Sequence, residues 1–268
     1  MNWKEMLHSY YGLSALPFGK EIPTEALQLL PSVEKNLAAA RLLVDTHGIG
    51  AMVGKSGTGK SCLLRLLVAG LPAGLFRPLY LCHTSVGILE FYTHLCALFG
   101  LSASCRRATM FRDLQEHILS MNGSRHLHPV LLIDEAHLLS NEILAEIRLL
   151  TNFRIDSLNA LTVMLCGAET LSMRFGLSML EALANSITVT IPVEGLAPEE
   201  SISFIEGRLS ACGARAPLFT KNALTLVHQA SGGILRTIGT IANAALLKAF
   251  IAKSTQVEAE HVQAVVQR

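Results

Sequence analysis

The stretch Gly54-Lys-Ser-Gly-Thr-Gly-Lys60-Ser61 constrains this chain more than any other, because it stands between the apolar run Gly50-Ala-Met-Val53 and the helix-like run Cys62-Leu-Leu-Arg-Leu-Leu-Val68. A strand, a glycine-rich turn and a helix in that order make a phosphate-binding loop. Glycines at 54, 57 and 59 let the backbone bend around a triphosphate, so that successive N–H groups and the positive end of the next helix face anionic oxygens. The residues expected to line the nucleotide are Gly54, Lys55, Ser56, Gly57, Thr58, Gly59, Lys60, Ser61 and Cys62. Of these, Lys60 is expected to reach the β- and γ-phosphates of ATP. Ser61 offers a hydroxyl to Mg²⁺, a cation that takes hard oxygen ligands and keeps several waters.

Pro129-Val-Leu-Leu-Ile-Asp134-Glu135-Ala-His137 is an uninterrupted apolar run ending in two acids, the pattern of a strand buried on both faces of a parallel sheet. Ligands of such sheets bind at the carboxyl ends of the strands. Asp134 is therefore expected to hold the Mg²⁺ water shell, and Glu135 to polarise an attacking water as the catalytic base. Together with Lys60, these residues point to ATP hydrolysis.

Five strand candidates recur, at 50–53, 78–82, 130–134, 162–166 and 188–192, with helical patterns between them at about 60–71, 86–99, 109–121, 141–151 and 169–185. Such alternation means a parallel sheet covered by helices. Upstream, 24–44 reads as helix with a break near Pro31. From Pro198 onward the strand signals stop, and helices are expected at about 198–211, 220–230, 234–252 and 257–266, with Thr220 as an N-cap and Gly213 as a C-terminal stop. The expected division is an N-terminal segment at 1–49, an α/β nucleotide domain at 50–195 and a small helical lid at 196–268.

The chain has 268 residues and a formal net charge of +1, which excludes a surface coated in basic residues but not a few cations aimed at one duplex. No run of 18 apolar residues predicts a membrane span, and Met1-Asn-Trp-Lys-Glu-Met-Leu-His8 lacks the layout of a secretory signal, so a cytoplasmic location is expected. The cysteines at 62, 82, 96, 105, 166 and 212 show no C-x-x-C spacing and read as small core residues in a reducing compartment. His126 and His128 read as solvent-facing linker residues. His137 completes a D-E-A-H string that also occurs in helicases, which need two lobes where this chain has room for one.

Tyr11-Gly-Leu-Ser-Ala-Leu-Pro17-Phe18 resembles the F/Y-G-L-x-x-x-P-F opening of ExeA-like AAA+ ATPases. Asp134-Glu-Ala-His-Leu-Leu-Ser140 and Ile147-Arg-Leu-Leu-Thr-Asn152-Phe-Arg-Ile-Asp156-Ser157 resemble their second acidic block and the segment after it, so the likeness runs nearly end to end. That group includes a secretion-pathway ATPase and the TniB- and TnsC-type helpers of DDE transposases. This compact chain, without a membrane span or an added C-terminal domain, is more similar to the helpers. The resemblance implies an AAA+ P-loop fold with a five-stranded parallel sheet and a helical lid. It also implies ATP and Mg²⁺ as cofactors, self-assembly into a filament or ring on double-stranded DNA, and recruitment or activation of a transposase. Arg236, in Gly232-Gly-Ile-Leu-Arg236-Thr, matches the arginine of a G-x-P-R block where the lid reads the γ-phosphate, with Leu235 in place of the proline.

Two departures from the family pattern bear on turnover. Where the family reads G-Q-P-E-L, with a water-orienting glutamine, this chain has Gly167-Ala168-Glu169-Thr170-Leu171; where it reads Q-R-I, with an arginine that reaches a neighbouring subunit, it has Asn185-Ser186-Ile187. Slow hydrolysis is the expectation, with Arg174, Arg148 or Arg154 as substitutes for the missing arginine. Candidate DNA contacts are Arg106, Arg107 and Thr109 at the start of a helix, where N–H and guanidinium groups share phosphate oxygens, and Thr84 in the 83–85 turn. No base-reading module is present in the sequence, so binding to the DNA backbone with weak sequence preference is expected.

Overall fold

The computed structural model describes residues 6, 9–19 and 22–267. Apart from Met6, the Met1 to His8 stretch considered for a targeting signal lies outside the described residues. The chain forms two compact units, one of residues 35–55 and 60–193 and one of residues 1–34, 56–59 and 194–268.

The first unit is the α/β body. Its strands are β1 (Ile49–Val53), β2 (Phe76–Leu81), β3 (His128–Ile133), β4 (Thr162–Gly167) and β5 (Ile187–Pro192), all parallel in the order β2-β3-β4-β1-β5. All five agree with the sequence expectation to within two residues. Strands β3 and β4 are buried along their whole length, which is why they carry unbroken apolar runs rather than alternation. Helix α1 (Pro31–Asp45) starts with proline at its first position, where the missing N–H costs nothing. Its Leu43 lies so close to Gly50 that a Cβ there would meet the leucine side chain, so the central strand needs glycine at that point. Helices α2 (Lys60–Gly70), α3 (Ile88–Phe99), α4 (Arg107–Ser124), α5 (Asn141–Leu150), α6 (Thr170–Arg174) and α7 (Glu181–Ser186) complete the unit. Phe91, Leu95, Met110, Leu114, Ile118, Ile143 and Ile147 from α3, α4 and α5 pack on Leu131, Ile133, Val163 and Leu165 of the central strands.

Three expectations are corrected here. The single helix expected over 169–185 is instead α6, a 3-10 turn at Ser178–Leu180, and α7. The chain leaves the helical path at Leu177, whose ψ of 134° follows Gly176. His128 is not solvent-facing but 5% exposed, the first residue of β3. Its ring stacks on His47 with centroids 3.7 Å apart and bonds Asn122 Oδ1 and Thr162 Oγ1, each at 2.9 Å. Among the cysteines, 96, 166 and 212 are buried as expected, but Cys82 and Cys105 are exposed.

The second unit is helical: α8 (Pro198–Ala211), α9 (Lys221–Ser231), α10 (Leu235–Ile251) and α11 (Ala259–Val266). Thr220 caps α9 by accepting the Ala223 N–H, and Gly213 takes φ 92° just past the end of α8, as the sequence predicts. The N-terminal residues group with these helices rather than with the α/β body, for a visible reason. Tyr11, Leu13 and Leu30 are buried in the core of the helical unit beside Ile205, Leu209 and Ile238. Arg208, 6% exposed, donates from Nε to the Pro17 carbonyl at 2.9 Å and from Nη1 to the Ala26 carbonyl at 3.1 Å. Gly239 leaves room for Phe18, whose Cβ lies 3.2 Å from where a glycine Cβ would be. The Tyr-Gly-Leu…Pro-Phe opening is therefore a packing element of the helical unit. Among the described residues no helix is long and apolar enough to cross a membrane.

Candidate nucleotide site

The carboxyl ends of β1 and β3 bring the two sequence motifs together in the α/β unit. Lys60 opens α2 and is only 8% exposed; its ammonium donates to the carbonyls of Gly54 and Lys55, both at 2.8 Å. Ser61 donates its hydroxyl to Asp134 Oδ2 at 3.1 Å. Asp134, 5% exposed, also accepts from the Tyr80 hydroxyl at 3.0 Å and, on Oδ1, from the Glu135 N–H at 2.9 Å. A hydroxyl and a carboxylate at hydrogen-bond distance, ahead of a helix N-terminus, are the hard oxygen donors that suit Mg²⁺. Burial, followed by the hydrogen bond to Asp134 and its charge, pushes the Tyr80 phenol above its usual range. Burial and then the charge of Asp134 do the same to the Cys166 thiol. Both groups stay protonated next to the acid.

Tyr80 was missed in the sequence. Its signal is weak: a polar tip in the alternating end of β2, where Leu79 and Leu81 are buried and Tyr80 is 49% exposed.

The residues expected to activate water are less enclosed. Glu135 adopts φ 52°, a left-handed conformation that non-glycine residues seldom take and that concentrates at functional sites. Its side chain is 53% exposed, and His137 Nδ1 lies 3.4 Å from its Oε2. Ala168 offers no polar side chain, and its N–H points at His137 Nδ1 from 3.3 Å. Ser186, at the end of α7, returns its hydroxyl to the Ala182 carbonyl at 2.8 Å. Among the arginines considered as substitutes, Arg174 is engaged within the chain: Nη1 donates to the His137 carbonyl at 2.9 Å, and Nε to Asn141 Oδ1 at 3.0 Å. Burial lowers the pKa of its guanidinium. Arg148 pairs with Asp156 at 2.6 Å, while Arg154 is exposed in a left-handed turn.

The tip of the phosphate loop, 56–59, groups with the helical unit, where Arg236 meets it. The Arg236 N–H donates to the Gly57 carbonyl at 3.1 Å and its Nη1 to Ser56 Oγ at 3.0 Å. A Cβ on Gly57 would lie 2.8 Å from that of Arg236, and one on Gly59 would lie 2.7 Å from Leu235 Cδ1, so two of the loop glycines are required by packing as well as by φ. Thr58 is buried and Cys62 half-buried.

The residues singled out for DNA do not form one surface group. Arg106 is exposed just before α4, and Thr109 is half-buried in the first turn. Arg107 pairs with Glu146 at 3.2 Å, a mostly buried carboxylate that also accepts from the Tyr92 hydroxyl at 2.6 Å. Thr84 is corrected as a DNA contact: it is 2% exposed and its hydroxyl donates to the Glu135 carbonyl at 3.1 Å, so it supports the acidic turn instead.

Comparison with known proteins places this geometry. Residues 43–175 match the family model described as an AAA domain. General secretion pathway protein A of Aeromonas hydrophila is 31% identical over 250 residues, which cover 91% of this chain and 45% of that protein; the chain thus spans about half the length of this relative. Similar solved structures include Cdc6p from Pyrobaculum aerophilum, with a TM-score of 0.67 and 15% identity over 90% of this chain and 67% of that one. Drosophila ORC bound to DNA gives 0.68 and 19% over 97% and 65%. The Aeropyrum pernix ORC2 protein in its ADPNP-ADP complexes gives 0.66 and 17% over 94% and 71%. At such identities the likeness is one of fold. The parallel sheet, its strand order and its phosphate loop are those of the P-loop AAA+ fold, and together with the AAA domain match and the secretion-pathway relative they support an AAA+ ATPase.

Proposed function

We propose that this chain is an ATP-dependent regulator of DNA transposition that assembles on duplex DNA in a filament or ring and recruits or activates a DDE transposase at the target. The observation that carries the reading is the imbalance of the site. Lys60, Ser61 and Asp134 are buried or hydrogen-bonded in a form suited to ATP and Mg²⁺, whereas positions 168 and 186 hold alanine and a serine bonded to its own helix. Lys60 would neutralise the β- and γ-phosphates of ATP, Ser61 and Asp134 would hold Mg²⁺, which would supply charge stabilisation there, and Glu135 would take the proton of the attacking water. Arg236, bonded to Ser56 Oγ and the Gly57 carbonyl, is assigned the role of nucleotide sensor. With no polar side chain at 168 and no arginine at 186, turnover is slow and the ATP state long-lived, which suits a marker that waits on DNA for its transposase. The protein acts in the cytoplasm, and Arg106 is its first DNA contact, on phosphates rather than base edges.

A second reading, a secretion-assembly or signalling ATPase that controls a protein partner without DNA, is favoured by the 31% identity to General secretion pathway protein A. Sedimentation and gel-shift with duplex DNA at low salt, with and without a non-hydrolysable ATP analogue, separate the two. Analogue-dependent assembly on DNA supports the transposition reading. Intact nucleotide binding with no assembly on DNA transfers the case to the second.

A further inference from the structure

We propose that His137 is a positioning residue for Glu135, tying the orientation of the catalytic carboxylate to the end of β4. The inference rests on the ATPase reading above. Glu135 is half-exposed, and a carboxylate with that freedom is a poor base unless something orients it. His137 Nδ1 is 3.4 Å from Glu135 Oε2 and 3.3 Å from the Ala168 nitrogen. Both distances exceed the roughly 2.9–3.0 Å of a well-formed N–H···O bond.

A single ring nitrogen cannot serve both neighbours in the same way. With the proton on Nε2, Nδ1 accepts from the Ala168 N–H and repels the carboxylate; with the proton on Nδ1, it donates to Glu135 and releases Ala168. Which ring nitrogen carries the proton therefore decides which bond forms, and with it how firmly Glu135 is held. The backbone around the ring is arranged for this short reach. Gly167 has no Cβ, and one placed there would stand 3.1 Å from the His137 backbone nitrogen and 3.4 Å from the His137 Cβ. On the other side, the Arg174 guanidinium bridges the His137 carbonyl and Asn141, which fixes the turn that carries the imidazole.

The test pairs kinetics with a signal that needs no turnover. His137→Ala is expected to lower kcat by about 10–100-fold, the loss typical of an outer partner of a reactive group, with ATP affinity unchanged. His137→Gln is expected to recover most of that loss, because its amide accepts from Ala168 and donates to Glu135. Adding His137→Ala to Glu135→Gln should cost nothing further. In the ¹⁵N-histidine spectrum of the nucleotide-free protein, with His137→Gln identifying the resonance, Glu135→Ala should move the His137 Nδ1 signal. An unchanged kcat in His137→Ala, or a stationary Nδ1 signal, overturns the proposal. If the parent protein binds ATP but never hydrolyses it, the ATPase reading falls, and the spectrum alone decides whether the histidine and carboxylate are coupled.

Discussion

The sheet is polar at both ends of its strands, and the two ends differ in kind. At their amino ends His47, Asn122, His128 and Thr162 close a network in which His128 is 5% exposed and both of its ring nitrogens are hydrogen-bonded. At the carboxyl ends Lys60 bonds the loop carbonyls, Asp134 accepts from Ser61, Tyr80 and the Glu135 N–H, and Glu135 stands half-open to water in a left-handed turn. A closed polar network stabilises one arrangement, whereas an open one leaves donors and acceptors for a ligand. Buried polarity alone does not mark a functional site in this fold; unspent hydrogen-bonding capacity does.

Four substitutions break or sharpen that contrast. Glu135→Gln should reduce ATP turnover by about 10²–10⁴-fold, the usual worth of a general base, while ATP and Mg²⁺ still bind; single-turnover hydrolysis beside equilibrium binding reads both. Near-parent turnover in this variant would mean that the open end has another base. Lys60→Ala removes the charge on the phosphates and should weaken ATP binding by roughly 2–5 kcal/mol. Fluorescent-nucleotide titration measures it, and unchanged affinity would show that the lysine's present bonds to Gly54 and Lys55 are purely structural.

At the closed end, burial and then the neighbouring His47 lower the His128 pKa to about 4. The folded protein keeps this ring neutral, so the stability it contributes is whole above about pH 6.5 and is lost as pH falls through 4. The loss is on the order of 3 kcal/mol across that window. Urea unfolding at pH 7 and pH 4 should show a shallower pH dependence in His128→Gln than in the parent, and equal slopes would remove His128 as the cause. The smallest effect concerns the surface: Arg106→Ala should lower the slope of log DNA affinity against log salt by roughly 0.9 for each phosphate that the arginine neutralises per subunit. An unchanged slope would exclude Arg106 from the DNA interface.

Much of this was legible in the sequence because the governing signals are local. Apolar runs ending at glycine or acid gave β1, β3 and β4, the break expected near Pro31 in a helix over 24–44 falls at the start of α1, Thr220 marked the start of α9, and glycine spacing marked the phosphate loop. The failures share one cause, the absence of long-range partners from a linear reading. His128 looked like a linker residue because nothing near it in sequence announces His47 or Thr162. Nothing near Arg107 in sequence announces its pairing with Glu146, 39 residues away, and nothing near Thr84 announces its bond to the Glu135 carbonyl. At 169–185 the apolar spacing was helical, but Gly176 and Leu177 divide the stretch, so periodicity alone overran the break. Tyr80 was overlooked because a tyrosine at the exposed position of an alternating strand carries no mark of its bond to Asp134.

The packing of residues 9–19 into the helical unit has a consequence for how the chain comes off the ribosome. The Tyr11 hydroxyl bonds the Ser254 carbonyl, and Arg208 holds the carbonyls of Pro17 and Ala26, contacts that span 243, 191 and 182 residues. Residues 9–19 must wait for residues beyond 200 to be made before their apolar side chains are covered. The α/β body, encoded between them, has all five of its strands available by residue 192. Contacts of such separation form slowly, and the waiting segment offers exposed Tyr, Leu and Phe to chaperones and to neighbouring chains. Translation halted shortly after β5 would therefore leave a nascent chain with a finished sheet and an uncovered N-terminal strap.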